Sequence, residues 1–447
     1  MSTIAFCMMP LAGPMNGALN LASVLRARGH RVVFVGMRDS EEFVAPRGFE
    51  FDAIYEQWFP KGYMQRWRAG GSGFWRSFQN QRRIILESRD HFRFLIRGGF
   101  AEFELALAKL GADALVLDGS HRPTWALLAH KAGLKCVYLH TTMPPWDDPS
   151  RPPCFTALAP GRTTWARWRV RWAWRSFFAR RRLIVTTQTV ARFGYDWLAC
   201  TRELARVCGY PVARLNFRSV FSALLELPEL ILFPKAFDFP GPEVPRRHYV
   251  EGEVDHDRQE PEFAWDRIDP RKKLIYCSLG SIHASRAFFQ DVLRAFAGRP
   301  DWQLVLNLGD RLQAGGFTDV PPDAILVNRA QQLALLKRSA AMITHGGINS
   351  IRECVHFRVP MVIFPVTFDQ PGAAARAQFH GLGVMQSLKQ AQPLVIRGLL
   401  EQVLSNPAYP ARLAAMAAEF EAVAREQPGI KLIESLASQT LSPAQRG

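Results

Sequence analysis

Residues 340–384, AAMITHGGINSIRECVHFRVPMVIFPVTFDQPGAAARAQFHGLGV, hold the densest run of side chains able to do chemistry. The apolar run ending at Thr344 reads as a strand, His345-Gly346-Gly347 as a tight turn, and a helix is expected to begin near Asn349. Two glycines let backbone N–H groups approach an anion, and a helix N-terminus adds about half a positive charge. Asn349 and Ser350, in the first turn, can donate to phosphate oxygens. Glu353 falls one turn beyond Asn349 on the same face, where a carboxylate can accept both hydroxyls of a ribose. A second apolar run leads into Phe368-Asp369-Gln370-Pro371, whose carboxylate and amide suit sugar hydroxyls. Each piece alone is an ordinary turn or loop. In this order they offer phosphate, ribose and hexose ligands at two adjacent strand ends.

Such ligands need a sheet to carry them, and the chain supplies one on each side of its middle. Strand-like runs at Ile4–Met8, Arg31–Met37, Ala114–Asp118 and Lys135–His140 alternate with helical patterns such as Pro123–Ala132. Ala18, Leu21, Ala22 and Leu25 have the i, i+3, i+4, i+7 spacing of a helix face packed on a sheet. The alternation resumes at Leu274–Ser278, Gln303–Leu308, Ala324–Asn328, Ala341–Thr344 and Pro360–Val366. Repeated strand–helix units argue for an α/β fold of two doubly wound, Rossmann-like parallel-sheet domains facing a cleft. Residues 233–263 are rich in proline and charge and lack periodicity. The expected division is a first domain 1–235, a linker 236–262, a second domain 263–425 and a tail 426–447.

The chain has 447 residues, 48% of them hydrophobic, enough for two cores of ordinary size. Its seven cysteines form no CxxC pair and no metal-ligand spacing, which points to a reduced, cytoplasmic setting. No signal peptide is expected, and no apolar run reaches the ~18–20 residues needed to cross a bilayer. Net charge is +16, and it is uneven: ten arginines and no acid lie between Asp148 and Asp196.

The 340–384 segment resembles the C-terminal signature of the UDP-glycosyltransferase superfamily, the inverting enzymes of GT-B fold, in the manner of the bacterial zeaxanthin glucosyltransferases. "CSLGS" (277–281), "FDFP" and "HYVEG" in the linker, and "NLASVLRARGHRVVF" near the start fit the same family. The resemblance implies that His345 and Ser350 hold the pyrophosphate with Gly346, Gly347, Asn349 and Ser281. It gives Glu353 the ribose, and Asp369 with Gln370 the transferred sugar. "NRAQQLALL" (328–336) matches the uracil-binding stretch, with Gln332 at the family's glutamine and Arg329 at its aromatic position; a guanidinium can stack on a base. UDP-sugar is then a co-substrate, glucose the expected sugar, and neither cofactor nor metal is expected. The resemblance also makes 1–235 the acceptor domain and 263–425 the nucleotide domain, and it sends the helix of 426–447 back onto the first domain.

One position departs from the pattern. The family's first loop commonly reads Gly-His, the histidine deprotonating the acceptor; ungapped alignment puts Gly13 on the glycine and Pro14 on the histidine. The family's partner acid maps to Asp118, at the end of "ALVLD". Either the acceptor is already ionised, or Asp118 or nearby His121 takes the proton, or the protein is a non-catalytic nucleotide-sugar-binding partner. Two aromatic segments point to a hydrophobic small-molecule or lipid acceptor. Residues 58–75 read as a mobile loop over it. Residues 161–182, with Trp165, Trp168 and Trp172 on one helical face among eight arginines, suit peripheral contact with the anionic inner face of a membrane. A helix with aromatic core contacts and a solvated basic face is the alternative there, and nucleic acid is not an expected partner.

Overall fold

The computed structural model describes residues 1–68, 74–119, 123–144, 146–191, 196–220, 223–252, 254–256, 258, 260–280 and 285–439. The first sheet contains β1 (Thr3–Cys7), β2 (Arg31–Gly36), β3 (Glu50–Ala53), β4 (Ala114–Asp118), β5 (Lys135–His140), β6 (Glu229–Ile231) and β7 (Arg247–Tyr249). Its order is β3-β2-β1-β4-β5-β6-β7. The second contains β8 (Lys273–Ser278), β9 (Trp302–Asn307), β10 (Ile325–Val327), β11 (Ala341–Thr344), β12 (Met361–Ile363) and β13 (Gly383–Met385). Its order is β10-β9-β8-β11-β12-β13. Every pairing is parallel. Central strands β1, β4, β8 and β11 are buried almost throughout, which is why they read as continuous apolar runs.

Strand order reverses between β1 and β4 in one sheet and between β8 and β11 in the other. In open α/β sheets a ligand crevice forms at such switch points, beyond the carboxyl ends of the strands. Helix Ala12–Ala27 follows β1, with Ala18, Leu21, Ala22 and Leu25 all buried against the sheet. Gly13 and Pro14, expected in a loop, instead form the first turn of this helix. Proline is tolerated there because the first N–H groups of a helix have no intrahelical acceptor to lose.

Two other expectations change. Residues 247–249, inside the stretch read as unstructured, add β7 to the edge of the first sheet. Within 58–75, Tyr63–Arg68 is helical and a helix spans Phe74–Phe94, while 69–73 lie outside the described residues. Trp58 and Phe59 pack against His91, and Trp58 also meets Phe94, so these rings serve the local core.

The last helix, Pro428–Ser438, sets Ile430, Ile433 and Ala437 into the same buried cluster as Ile4, Phe6, Val116 and Leu139 of the first domain. Glu251, from "HYVEG", caps its start: the carboxylate accepts the N–H groups of Gly429 (2.9 Å) and Ile430 (2.8 Å). Among the described residues no helix is long and apolar enough to cross a membrane.

Candidate functional site

At the switch point of the second domain, the chain leaves β8 through Leu279 to Gly280, and β11 leads into the turn His345-Gly346-Gly347. Gly280 and Gly346 both have φ 76°, the left-handed region open to glycine. A Cβ at Gly280 would lie 2.8 Å from the His345 ring, and one at Gly347 would lie 2.6 Å from its Nε2. The imidazole therefore sits between two glycine turns, and any side chain at either would displace it. Gly347 caps helix Ile348–His356 without a side-chain hydrogen bond, leaving the helix start with no side chain of its own as a cap for its amides.

Glu353, on the same helix, is buried and engaged at both oxygens. Arg258 donates to Oε1 at 2.6 Å, and the Gln332 amide donates to Oε2. Gln332 in turn accepts from the Tyr276 hydroxyl at 3.1 Å, and Tyr276 accepts from Asn307 at 3.3 Å. The structure thus joins two predicted ligands, Gln332 and Glu353, in one network. Arg258 was not foreseen; burial alone would lower its pKa, but Glu353 and Glu260 hold it above the ordinary value. Arg329, at the expected stacking position, is exposed and pairs with Asp310. Ser281 lies outside the described residues.

Phe368 is held at φ 56°, a left-handed conformation uncommon for a non-glycine residue. This strained turn delivers Asp369 and Gln370 to the cleft. Asp369 is buried, and its Oδ2 accepts the Met143 N–H at 2.7 Å. Met143 belongs to the first domain, just beyond β5, so the turn reaches across. Burial raises the Asp369 pKa, opposed by the Met143 amide. Gln370 Oε1 accepts from the Val366 and Thr367 amides at 3.0 Å each, tying the turn to itself.

Asn349, expected as a phosphate donor, also crosses the cleft: its amide donates to the Gly13 carbonyl at 2.9 Å. Its own carbonyl accepts from Arg352 at 3.1 Å, and Arg352 donates to Gly252 in the linker at 2.9 Å. Ser350 is buried in the first turn. On the first domain, Asp118 ends β4 and is buried; its Oδ2 accepts the Met9 N–H at 3.1 Å, beside the exit of β1. A Cβ at the next residue, Gly119, would lie 2.4 Å from His140 Nδ1. His140 Nε2 lies 3.0 Å from Glu229, a buried pair that Trp146 and Arg246 complete. His121 lies outside the described residues.

"FDFP" explains itself here as well: Asp238 is paired with buried Arg376 at 2.8 Å, locking linker to second domain. No sequence spacing signals such contacts, because their partners stand 95 or more residues apart. Among the described residues no group of three or more His, Cys, Asp or Glu side chains is arranged to hold a metal.

Residues 291–434 match the family model for the erythromycin biosynthesis protein CIII-like C-terminal domain. A zeaxanthin glucosyltransferase of Pantoea ananas is 25% identical over 433 residues, covering 93% of this chain and 91% of that protein. The oleandomycin glycosyltransferase of Streptomyces antibioticus is 30% identical over 210 residues, covering 46% of this chain and 48% of that protein. Among solved structures, the glycotransferase of kitacinnamycin superposes with TM-score 0.71 at 23% identity, covering 98% of this chain and 99% of that one. The glycosyltransferase VinC in complex with dTDP superposes with TM-score 0.63 at 15% identity, covering 98% and 100%. The fold is GT-B.

Proposed function

From its place in the UDP-glycosyltransferase superfamily, as an enzyme that transfers sugar from a nucleotide sugar, we propose that this chain moves a hexose, glucose by preference, from a UDP-sugar to a hydrophobic acceptor with inversion at the sugar C1. The observation that carries the reading is the meeting of two strand-end turns across the cleft, Asp369 of the second domain on the Met143 amide of the first. A sugar held by Asp369 and Gln370 would then face the β4 and β5 ends of the acceptor domain.

The proposed roles are these, with the geometry as their support. His345, Ser350, Asn349 and the amides at the start of helix Ile348–His356 receive the diphosphate. A helix N-terminus stabilises the charge that grows on it as the bond to C1 breaks. Glu353, aligned by Arg258 and Gln332, takes the ribose hydroxyls; Gln332 and Arg329 take the base. Asp369 and Gln370 hold the hexose. Asp118, at the switch point of the first sheet, accepts the acceptor's proton in place of the histidine that Pro14 displaces, with His121 the second candidate. The acceptor oxygen attacks C1, UDP leaves from the opposite side, and the proton ends on the carboxylate.

The acceptor class is a carotenoid-, lipid- or polyketide-like alcohol, a choice supported by the names of the relatives. An anionic membrane surface is the further partner that residues 161–182 fit. Incubating the protein with UDP-glucose and a hydroxylated carotenoid tests the reading. The expected result is acceptor-dependent UDP release with a β-glycoside formed from the α-linked donor. UDP-glucose that binds but is never turned over with any alcohol acceptor would refute it.

A further inference from the structure

Helix Thr164–Ala191 has two faces of different character. Val170, Ala173 and Trp174 are buried toward the body, and the Trp174 indole N–H donates to the carbonyls of Asp148 (3.0 Å) and Arg151 (2.9 Å). At 3.6 residues per turn, Trp165, Trp168, Trp172 and Leu183 share a stripe on the opposite side. They are 63%, 50%, 58% and 64% exposed. The rings of Trp165 and Trp168 stack with centroids 4.8 Å apart, and those of Trp168 and Trp172 at 6.3 Å. From Trp165 to Leu183 the stripe runs about 27 Å along the helix. Large apolar side chains in such a row mark an interaction surface rather than scattered exposure.

The flanks decide what the surface meets. Arg169 and Arg180 border the stripe on one side, and Arg171, Arg175 and Arg182 on the other, all exposed. A groove of about 510 Å³ beside the rings is lined by Thr164, Trp165, Arg167, Trp168 and Arg171. Of the eight arginines in 161–182, Arg181 is the one that hydrogen-bonds another segment among the described residues, on the carbonyls of Phe217 and Ser219. A two-fold contact with a second copy would set these arginines against themselves, since the segment contains no acid to answer them. An anionic phospholipid surface answers both features. Indole rings settle at the headgroup–acyl boundary while arginines reach the phosphates.

We propose that helix Thr164–Ala191 lies flat on an anionic lipid surface, with Trp165, Trp168, Trp172 and Leu183 entering it and the flanking arginines on the phosphates. This deepens the partner reading above and is independent of the transfer chemistry. The helix is anchored through Trp174 to the Asp148–Arg151 loop. The same stretch of chain reaches the second domain at both ends, through Met143 to Asp369 and through the Cys154 carbonyl to the Gly372 N–H at 2.8 Å. Docking would hold the molecule at the phase in which an apolar acceptor dissolves.

Vesicle flotation of the full chain tests the proposal. Affinity for phosphatidylglycerol–phosphatidylcholine vesicles is expected to exceed that for phosphatidylcholine alone by about tenfold or more and to fall as salt rises. Acyl-brominated lipid is expected to quench tryptophan emission. The Trp165→Ser/Trp168→Ser/Trp172→Ser variant should lose about tenfold in vesicle affinity and most of the quenching, while binding UDP as the parent does. An Arg171→Gln/Arg175→Gln/Arg182→Gln variant, which keeps the stripe, should lose about tenfold for anionic vesicles alone. Equal partition to neutral and anionic vesicles, or parental vesicle binding by either variant, overturns the proposal. So does a parent dimer that the tryptophan variant converts to monomer, or retention on single-stranded DNA in preference to vesicles. If UDP fails to bind the parent, the donor-site reading falls while the vesicle result stands on its own.

Discussion

Glu353 and Asp369 are both buried carboxylates on the second domain's side of the cleft, and their surroundings separate them. Glu353 faces a guanidinium; Asp369 meets a backbone amide and is pushed toward its neutral form by burial. A carboxyl whose pKa is raised by folding favours the folded state below its unfolded value, and that contribution is lost as pH rises through the folded value. Ionised Asp369 therefore costs stability at neutral pH. Asp369→Asn, which can still accept the Met143 N–H, is expected to melt at or above the parent temperature at neutral pH. This advantage should shrink as the medium is acidified into the carboxylate range, a trend that thermal melts across pH would reveal. Sugar transfer should fall in the same variant with UDP affinity nearly intact. Parallel loss of both would give Asp369 a structural part only. At Asp118, replacement by Asn is expected to lower turnover of an alcohol acceptor by roughly 10²–10⁴, the range for losing a general base. An acceptor already ionised would lose much less.

Secondary elements carried different amounts of their fate in the sequence. Ala114–Asp118, Lys135–His140 and Ala341–Thr344 were readable to the residue, because each is a buried apolar run closed by a polar or glycine turn. Arg247–Tyr249 was not: three residues at a sheet edge, amid prolines, show no period. Pro14 misled in another way, since proline reads as a loop signal yet fits a first helical turn. For the site, the order His345, Asn349, Glu353, Asp369 was legible because one short segment contains it. Arg258, Met143 and the Gly13 carbonyl were not, because folding alone brings them to it. Helix Pro428–Ser438 offers a test at this scale. Glu251 is its buried cap, so Glu251→Ala leaves two amides without their acceptor and should cost about 1–2 kcal/mol of stability. Denaturant titration measures the loss, and hydrogen exchange should quicken in residues 428–438. An unchanged midpoint would mean that water replaces the carboxylate.

Across the whole molecule, the domains meet through Asn349 and Gly13, Asp369 and Met143, and Gly372 and Cys154, while Asp238 of the linker pairs with Arg376 of the second domain, so that the two switch points face one another. The proposed division of labour matches this arrangement: the second domain holds the nucleotide, and the first performs the proton transfer. Titration of UDP by calorimetry into the parent, Glu353→Ala and Asp118→Asn, with turnover measured on the same samples, tests that division most directly. Glu353→Ala is expected to lose UDP affinity about tenfold or more, since a buried acceptor for two hydroxyls is removed. Asp118→Asn should bind UDP as the parent does and fail in turnover. Parental UDP affinity in Glu353→Ala, or full turnover of an alcohol by Asp118→Asn, would contradict it.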